Sequence, residues 1–374
     1  MSKYLTYSEK SLKSHNGYWT AKEICQQPRV WREAGQHIKA KRAEINGWLA
    51  PILTNHKLRI ILTGAGTSAY VGESIAPHLS ATLGRQVEAI STTNIVSNPN
   101  YYLLKDKPTL VVSYGRSGNS PESVAAVDLI NQVVDECYHL VLTCNPEGRL
   151  ATNIKNQGNS YSLLMPHGTL DQSFAMTSSF SSMLVSTLCI FAPQETQLES
   201  TALAAECFLA NGIEEVKKLA TLDVQRLVFL GAGGLQGIAK EAALKVLELT
   251  AGEVLSYFES PLGFRHGPKS LVDNTTQIIF LASNDSYTKQ YDQDLLAELK
   301  RDDQAKAITI LNSKTFVGLG ELEDVWAGLP YIVYCQVLSF FKSINGDFTP
   351  DNPCPSGEVN RVVQGVTLYP FENQ

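Results

Sequence analysis

The chain has no CxxC pair, no Gly-Lys dipeptide, no HExxH and no apolar run near the roughly 18 residues that cross a membrane. Each absence removes a class of protein. The seven cysteines are odd in number and scattered, which reads as reduced thiols in a cytoplasmic protein rather than a disulfide framework. Without Gly-Lys there is no P-loop. The histidines outside residue 266 show no close His/Cys clustering, so no metal site is expected. The richest apolar stretch, residues 181–192, is short and interrupted by Ser and Thr, and residues 1–10 are polar with no signal-peptide core. Charge is also sparse. Against 37 Asp+Glu stand 31 Lys+Arg, a net charge of −6, so no broad basic surface draws nucleic acid or an anionic membrane.

What is present is 374 residues of ordinary globular composition, 44% apolar, enough for two domains or one repeated unit. Short apolar runs at 58–63, 109–114 and 139–144 alternate with helix-like segments at 68–82 and 121–134. That alternation predicts βαβ units and a parallel sheet covered by helices on both faces. The pattern then returns. Gly64-Ala65-Gly66 matches Gly231-Ala232-Gly233, an offset of 167, and the same offset carries residues 109–112 onto 276–279 and 140–145 onto 307–312. Three strands at one offset predict a tandem α/β repeat. The expected organisation is an N-terminal helical segment over 1–50, a first unit over 51–215, a second over 216–348 and a tail over 349–374. In the first segment, Thr20 to Glu23 fits a capping box, and Pro28 suits the start of a helix running through Trp31 and Ile38 toward Trp48. Pro350, Pro353 and Pro355 predict an extended tail.

The strongest local signal follows the second strand. Gly115-Arg116-Ser117-Gly118-Asn119-Ser120 is a Gly/Ser loop, and Pro121 suits the first position of the helix after it. Loops at the C-terminal ends of parallel strands line the ligand crevice of an open sheet, and helix N-termini favour anions. Ser117 and Ser120 add hydroxyls and Arg116 adds charge, which points to a phosphate monoester; the alternative is a turn with an N-cap Ser. The glycines of the turn Gly64 to Ser68 let the strand–helix turn approach a ligand closely, with Ser68 as a second phosphate donor. Its partial GxGxxA match and Glu88 are weak grounds for a dinucleotide, because the repeat's own copy fails at the third small position.

The second unit carries different chemistry. Glu241, Lys245 and Glu248 stand at i, i+4 and i+7, on one helix face. The first unit has Ser74, His78 and Ala81 at those positions, so the fold does not require the charges. They are either a solvated ion pair or a carboxylate base poised by its neighbours. His266, between glycines and before Pro268, sits in a formed loop and suits a proton shuttle; the alternative is a surface histidine.

With these residues the chain resembles the sugar isomerase (SIS) domains that occur in tandem in the isomerase half of glucosamine-6-phosphate synthase. Across residues 60–70, 115–127, 174–179, 244–252, 263–272 and 360–366 it is most similar to the bacterial galactosamine-6-phosphate deaminase/isomerase branch, formerly described as tagatose-6-phosphate ketose/aldose isomerase. The resemblance implies two SIS domains, the first binding the sugar phosphate through Ser68, Arg116, Ser117 and Ser120, the second carrying the reaction. Glu248 would move a proton between C1 and C2, with Lys245 and Glu241 tuning it. His266 would open the sugar ring, reaching into a neighbouring subunit's site, which implies at least a dimer. Gly66, Thr67, Thr177 and Gln364 would be further substrate contacts. Gln364 stands where the synthase has a lysine, and the segment between Glu248 and His266 is about two residues longer, so the synthase mechanism does not transfer whole.

The expected reaction converts galactosamine 6-phosphate to tagatose 6-phosphate and ammonia, without cofactor or metal, since the substrate's own carbonyl and amine stabilise the enolamine. The alternatives are isomerisation without ammonia release, glucosamine-6-phosphate deamination, and a sugar-phosphate-binding regulator. The partner is a small-molecule sugar phosphate, with no nucleic acid and no membrane.

Overall fold

The computed structural model describes residues 3–155 and 157–372. Met1 and Ser2 of the polar N-terminus, Asn156 within the first unit's span, and Asn373 and Gln374 of the tail lie outside the described residues. The chain divides into two compact units that are not contiguous in sequence. The first-repeat unit comprises Val30–Leu170, Ser178–Gln194 and Gly357–Gln374; the second-repeat unit comprises Met1–Arg29, Asp171–Thr177 and Glu195–Ser356.

The N-terminal segment is helical. After a short helix at Glu9–Ser14 come α1 (Tyr18–Cys25), α2 (Gln27–Ala40) and α3 (Arg42–Leu53). Two expectations change here. The helix from Pro28 does not run on to Trp48; it stops at Ala40, and α3 restarts after Lys41. The capping box is also absent. Thr20 lies inside α1, whose N-cap is Gly17. Instead the carboxylate of Asp351 accepts the N–H of Trp19 at 3.0 Å, and the N–H and hydroxyl of Thr20 at 2.7 and 2.8 Å. A carboxylate from the far end of the chain fills the role expected of the local Thr–Glu pair, and Glu23 is left to bond elsewhere.

The first-repeat unit holds a five-stranded parallel sheet of β1 (Arg59–Thr63), β2 (Val87–Ala89), β3 (Thr109–Gly115), β4 (Cys137–Thr143) and β5 (Ser160–Leu164), in the order β2-β1-β3-β4-β5. Every residue of β1 and β3 is buried. Burial on both faces is why the centres of these strands, Ile60–Leu62 and Leu110–Val112, read as apolar runs. Helices α4 (Thr67–Leu83), α5 (Pro121–Val133) and α6 (Ser178–Phe191) belong to this unit.

The second-repeat unit repeats the plan with β6 (Arg226–Gly231), β7 (Leu255–Glu259), β8 (Thr276–Leu281) and β9 (Ala307–Leu311), in the order β7-β6-β8-β9 and all parallel. The 167-residue offset carries β1 onto β6, β3 onto β8, α4 onto α7 (Gly234–Leu249) and α5 onto α8 (Thr288–Asp302). The turn geometry repeats as well: Gly66 has φ 55° and ψ −130°, Gly233 φ 57° and ψ −127°. That is a conformation open to glycine and strained for other residues, so both repeats keep glycine at the strand-to-helix turn. The copies part company at the fifth strand. The offset carries β5 onto residues 327–331, which lie inside the 22-residue helix α9 (Asp324–Asn345). Almost all of α9 is buried, and it packs along α7. Among the described residues, no helix is long and apolar enough to cross a membrane.

Candidate active site

The first candidate group lies in the first-repeat unit, at the C-terminal ends of β1 and β3. These strands pair in parallel with Thr63 opposite Ser113, so the turns that follow them are neighbours. Thr67 and Ser68 open α4 and are 4% and 5% exposed. The loop 115–120 is held from behind by the next strand and turn. Thr143 Oγ1 donates to the carbonyl of Gly115 at 2.7 Å, and Asn145 Nδ2 donates to that of Ser117 at 2.9 Å. The N–H of Arg149 donates to Asn119 Oδ1 at 2.9 Å. Sequence reasoning passed over Thr143, Asn145 and Arg149, which sit some 30 residues beyond the loop they brace.

Within the loop, Ser117 Oγ accepts the N–H of Asn119 at 3.2 Å, and Ser120 Oγ donates to Glu122 Oε2 at 2.7 Å. Ser120 is the N-cap residue of α5, but its hydroxyl makes no capping bond, so the simple N-cap alternative does not describe it. Among the described residues, no protein group accepts the N–H of Ser117 or Gly118. Arg116 is buried, and its Nη2 donates to the carbonyl of Arg361 at 2.8 Å. The C-terminal tail thus reaches the loop, and further on Gln132 Nε2 donates to the carbonyl of Phe371 at 2.7 Å. Gln364 lies in this tail, exposed and outside any helix or strand.

The second group lies in the second-repeat unit. Glu241, Lys245 and Glu248 share one face of α7, as their spacing predicts. That face is not solvated. The side chains of Glu241 and Lys245 have no exposure, and Glu248 keeps 20%. Lys245 Nζ lies 3.2 Å from Glu241 Oε1 and 2.5 Å from Glu248 Oε2. Burial works against the lysine's charge, but the pull of the two carboxylates outweighs it and holds its pKa above the ordinary lysine value. The ammonium is therefore a fixed positive charge, and Glu248 is the one member of the triad that faces solvent. A base needs that access, and a purely structural triad does not.

His266 is exposed, in the loop between the short helix Pro261–Phe264 and the 3₁₀ turn Pro268–Leu271. Its backbone N–H donates to the carbonyl of Gly263 at 2.9 Å. Among the described residues, no hydrogen bond or ion pair joins its imidazole to the triad. Thr177 is buried in the same unit, where its N–H donates to Asp171 Oδ2 at 2.8 Å. Glu23, which the sequence offered only as part of a capping box, is a second buried carboxylate in this unit. Glu23 Oε2 accepts the N–H and hydroxyl of Ser173 at 3.2 and 2.5 Å, and Oε1 accepts the N–H of Gln172 at 2.5 Å. Burial, and then the charge of Asp171, raise Glu23 to about 8.

The chain's two α/β repeats, each with a glycine turn entering a helix, match one known family twice. The SIS domain family aligns with residues 52–193 and again with 222–316. The chain belongs to the SIS domain family. It is 52% identical to the D-galactosamine-6-phosphate deaminase AgaS of Shewanella sp. strain ANA-3, over 98% of this chain and 96% of that protein. It is 46% identical to the D-galactosamine-6-phosphate deaminase AgaS of Escherichia coli, over 95% of this chain and 97% of that protein. The crystal structure of tagatose-6-phosphate ketose/aldose isomerase from Escherichia coli superposes with a TM-score of 0.89 at 43% identity, over 96% of this chain and 98% of that one. The SIS matches fall one on each repeat, so the 167-residue offset is the offset between two SIS domains.

Proposed function

We propose that the protein is a galactosamine-6-phosphate deaminase/isomerase: galactosamine 6-phosphate and water give tagatose 6-phosphate and ammonia. The observation that carries this reading is the triad on α7, two buried charges and one carboxylate, Glu248, left accessible beside a permanently positive lysine. The names of its relatives supply the substrate class.

In this reading His266 helps to open the sugar ring. Glu248 takes the proton from C2 and returns one to C1, which turns the amino aldose into a ketose imine; water then adds at C2 and ammonia leaves. Lys245 and Glu241 position the base. Ser68, Arg116, Ser117 and Ser120 hold the phosphate, with Gly66, Thr67, Thr177 and Gln364 as further substrate contacts, so that binding energy remote from the reacting carbons orients them. The SIS domains extend over 51–215 and 216–348, the enzyme is cytoplasmic, and it works as an oligomer, at least a dimer, with His266 serving a neighbouring subunit.

Ammonia release from galactosamine 6-phosphate and from glucosamine 6-phosphate, each as sole substrate, tests the assignment. Ammonia from the galacto sugar and little from its epimer is expected. A second reading, aldose–ketose isomerisation alone, is favoured by the name of the Escherichia coli structure. Phosphoketose formed with no ammonia would establish it.

A further inference from the structure

The two repeats differ most at the loop that follows their matching central strands. The 167-residue offset places Ser283 at the position of Arg116, Asn284 at Ser117, Tyr287 at Ser120 and Leu235 at Ser68. All four proposed phosphate donors are thus replaced, yet the loop still leaves the end of a buried parallel strand, β8, and enters the N-terminus of a 15-residue helix, α8. That backbone plan favours an anion.

An anion is already there, and it belongs to the protein. Asp324 Oδ1 accepts the N–H of Asn284 at 2.6 Å, and its other oxygen accepts the hydroxyl of Ser283. Asp292 Oδ2 accepts the N–H of Ser283 at 2.8 Å. Asp285 Oδ1 accepts the N–H groups of Tyr287 and Thr288, at 3.1 and 2.8 Å, where α8 begins. Asn284 Nδ2 is bound to the carbonyls of Leu319 and Leu322, both at 2.8 Å, which fastens the loop to the segment leading into α9. Asp324 is the first residue of α9, the helix that takes the place of the fifth strand. In the first repeat the N–H of Ser117, the equivalent of Asn284, has no protein acceptor among the described residues.

We propose that the second repeat contains an anion-binding loop closed by the chain's own carboxylates, with Asp324 in the role that a phosphate has in the first repeat, so that each chain takes up one phosphate and not two. The inference rests on the proposed function only for what the first loop binds. The closure has a further use: two loop donors on one carboxylate fix the start of α9, which packs along the helix bearing Glu248.

Calorimetric titration of the full chain with inorganic phosphate tests this. One equivalent per chain is expected, weakened at least about tenfold in Ser117→Ala/Ser120→Ala. Two equivalents in the unaltered protein, or one that persists at full affinity in that variant, would overturn the proposal. Asp292→Asn/Asp324→Ala, shown by circular dichroism to be folded, should gain an equivalent that survives the two serine substitutions. A folded variant that gains none would overturn Asp324 and Asp292 as the closing groups. If the unaltered protein binds no phosphate while Asp292→Asn/Asp324→Ala binds one, the closed second loop is supported and the phosphate reading of the first loop fails.

Discussion

Lys245 Nζ lies 2.5 Å from Glu248 Oε2, and the lysine side chain has no exposure to solvent. The pair is therefore not an exchangeable surface bridge. It sets where the carboxylate points and keeps a positive charge beside it throughout the neutral range.

Glu248→Gln should lower turnover by about 10²–10⁴-fold, the usual worth of a positioned general base. Gln keeps the shape and loses the proton acceptor, so the variant should still bind the sugar phosphate. Steady-state ammonia release together with calorimetric binding measures both. A fully active Glu248→Gln protein would remove this residue from the mechanism.

Lys245→Met should destabilise the protein by about 3–5 kcal/mol, because it leaves the carboxylate of Glu241 buried without its counter-charge. The double variant Glu241→Leu/Lys245→Met should recover most of that loss in urea denaturation, since no unpaired charge remains. The pH dependence follows from the raised lysine pKa. The stabilisation is fully present below the unfolded lysine value of about 10.4 and disappears as pH rises through the higher folded value. Stability attributable to Lys245 should thus be flat from pH 7 to 9 and fall only in the strongly alkaline range.

Glu23 gives a slope of the same sign, but in a lower pH window. Its pKa is raised to about 8, so between the ordinary glutamate range and that value the folded protein keeps a proton the unfolded chain has released. The contribution of Glu23 to stability is present at low pH and is lost as pH rises through this window. Urea denaturation at pH 5 and pH 8.5 should show the unaltered protein losing stability relative to Glu23→Gln. Parallel pH profiles for the two proteins would contradict the raised value.

Ser117→Ala and Ser120→Ala should each raise KM for the sugar phosphate about tenfold to a hundredfold, which corresponds to about 1.5–3 kcal/mol for a hydrogen bond to a charged group. Turnover should fall less, since the phosphate is remote from the reacting carbons. Initial-rate kinetics separates the two parameters. A loss confined to turnover would place these hydroxyls at the chemistry instead.

Arg116→Ala should release the tail whose carbonyl it binds at Arg361. Trypsin cleavage after Arg361 should then be faster than in the unaltered protein. Equal cleavage rates would show that the tail is held by its other contacts.

Much of the architecture follows from sequence alone. Strands buried on both faces are apolar at their centres, so β1, β3 and β8 stand out as short runs, and a turn at positive φ keeps Gly66 and Gly233 in register 167 residues apart. Helical periodicity places Glu241, Lys245 and Glu248 on one face. Whether that face meets water is another matter, and only the packing of α7 decided that two of the three charges are buried. The same limit explains the corrections. Thr20 and Glu23 have capping-box spacing, yet Asp351 caps α1 and Glu23 turns to Ser173, because partners far apart in the chain outcompeted the local pair. Asp324 reaches the second loop for the same reason, carried there by a helix where the first repeat has a strand. Local spacing determines which elements form and which residues share a face; the pairing of charges and donors across distant segments exists only once those elements pack.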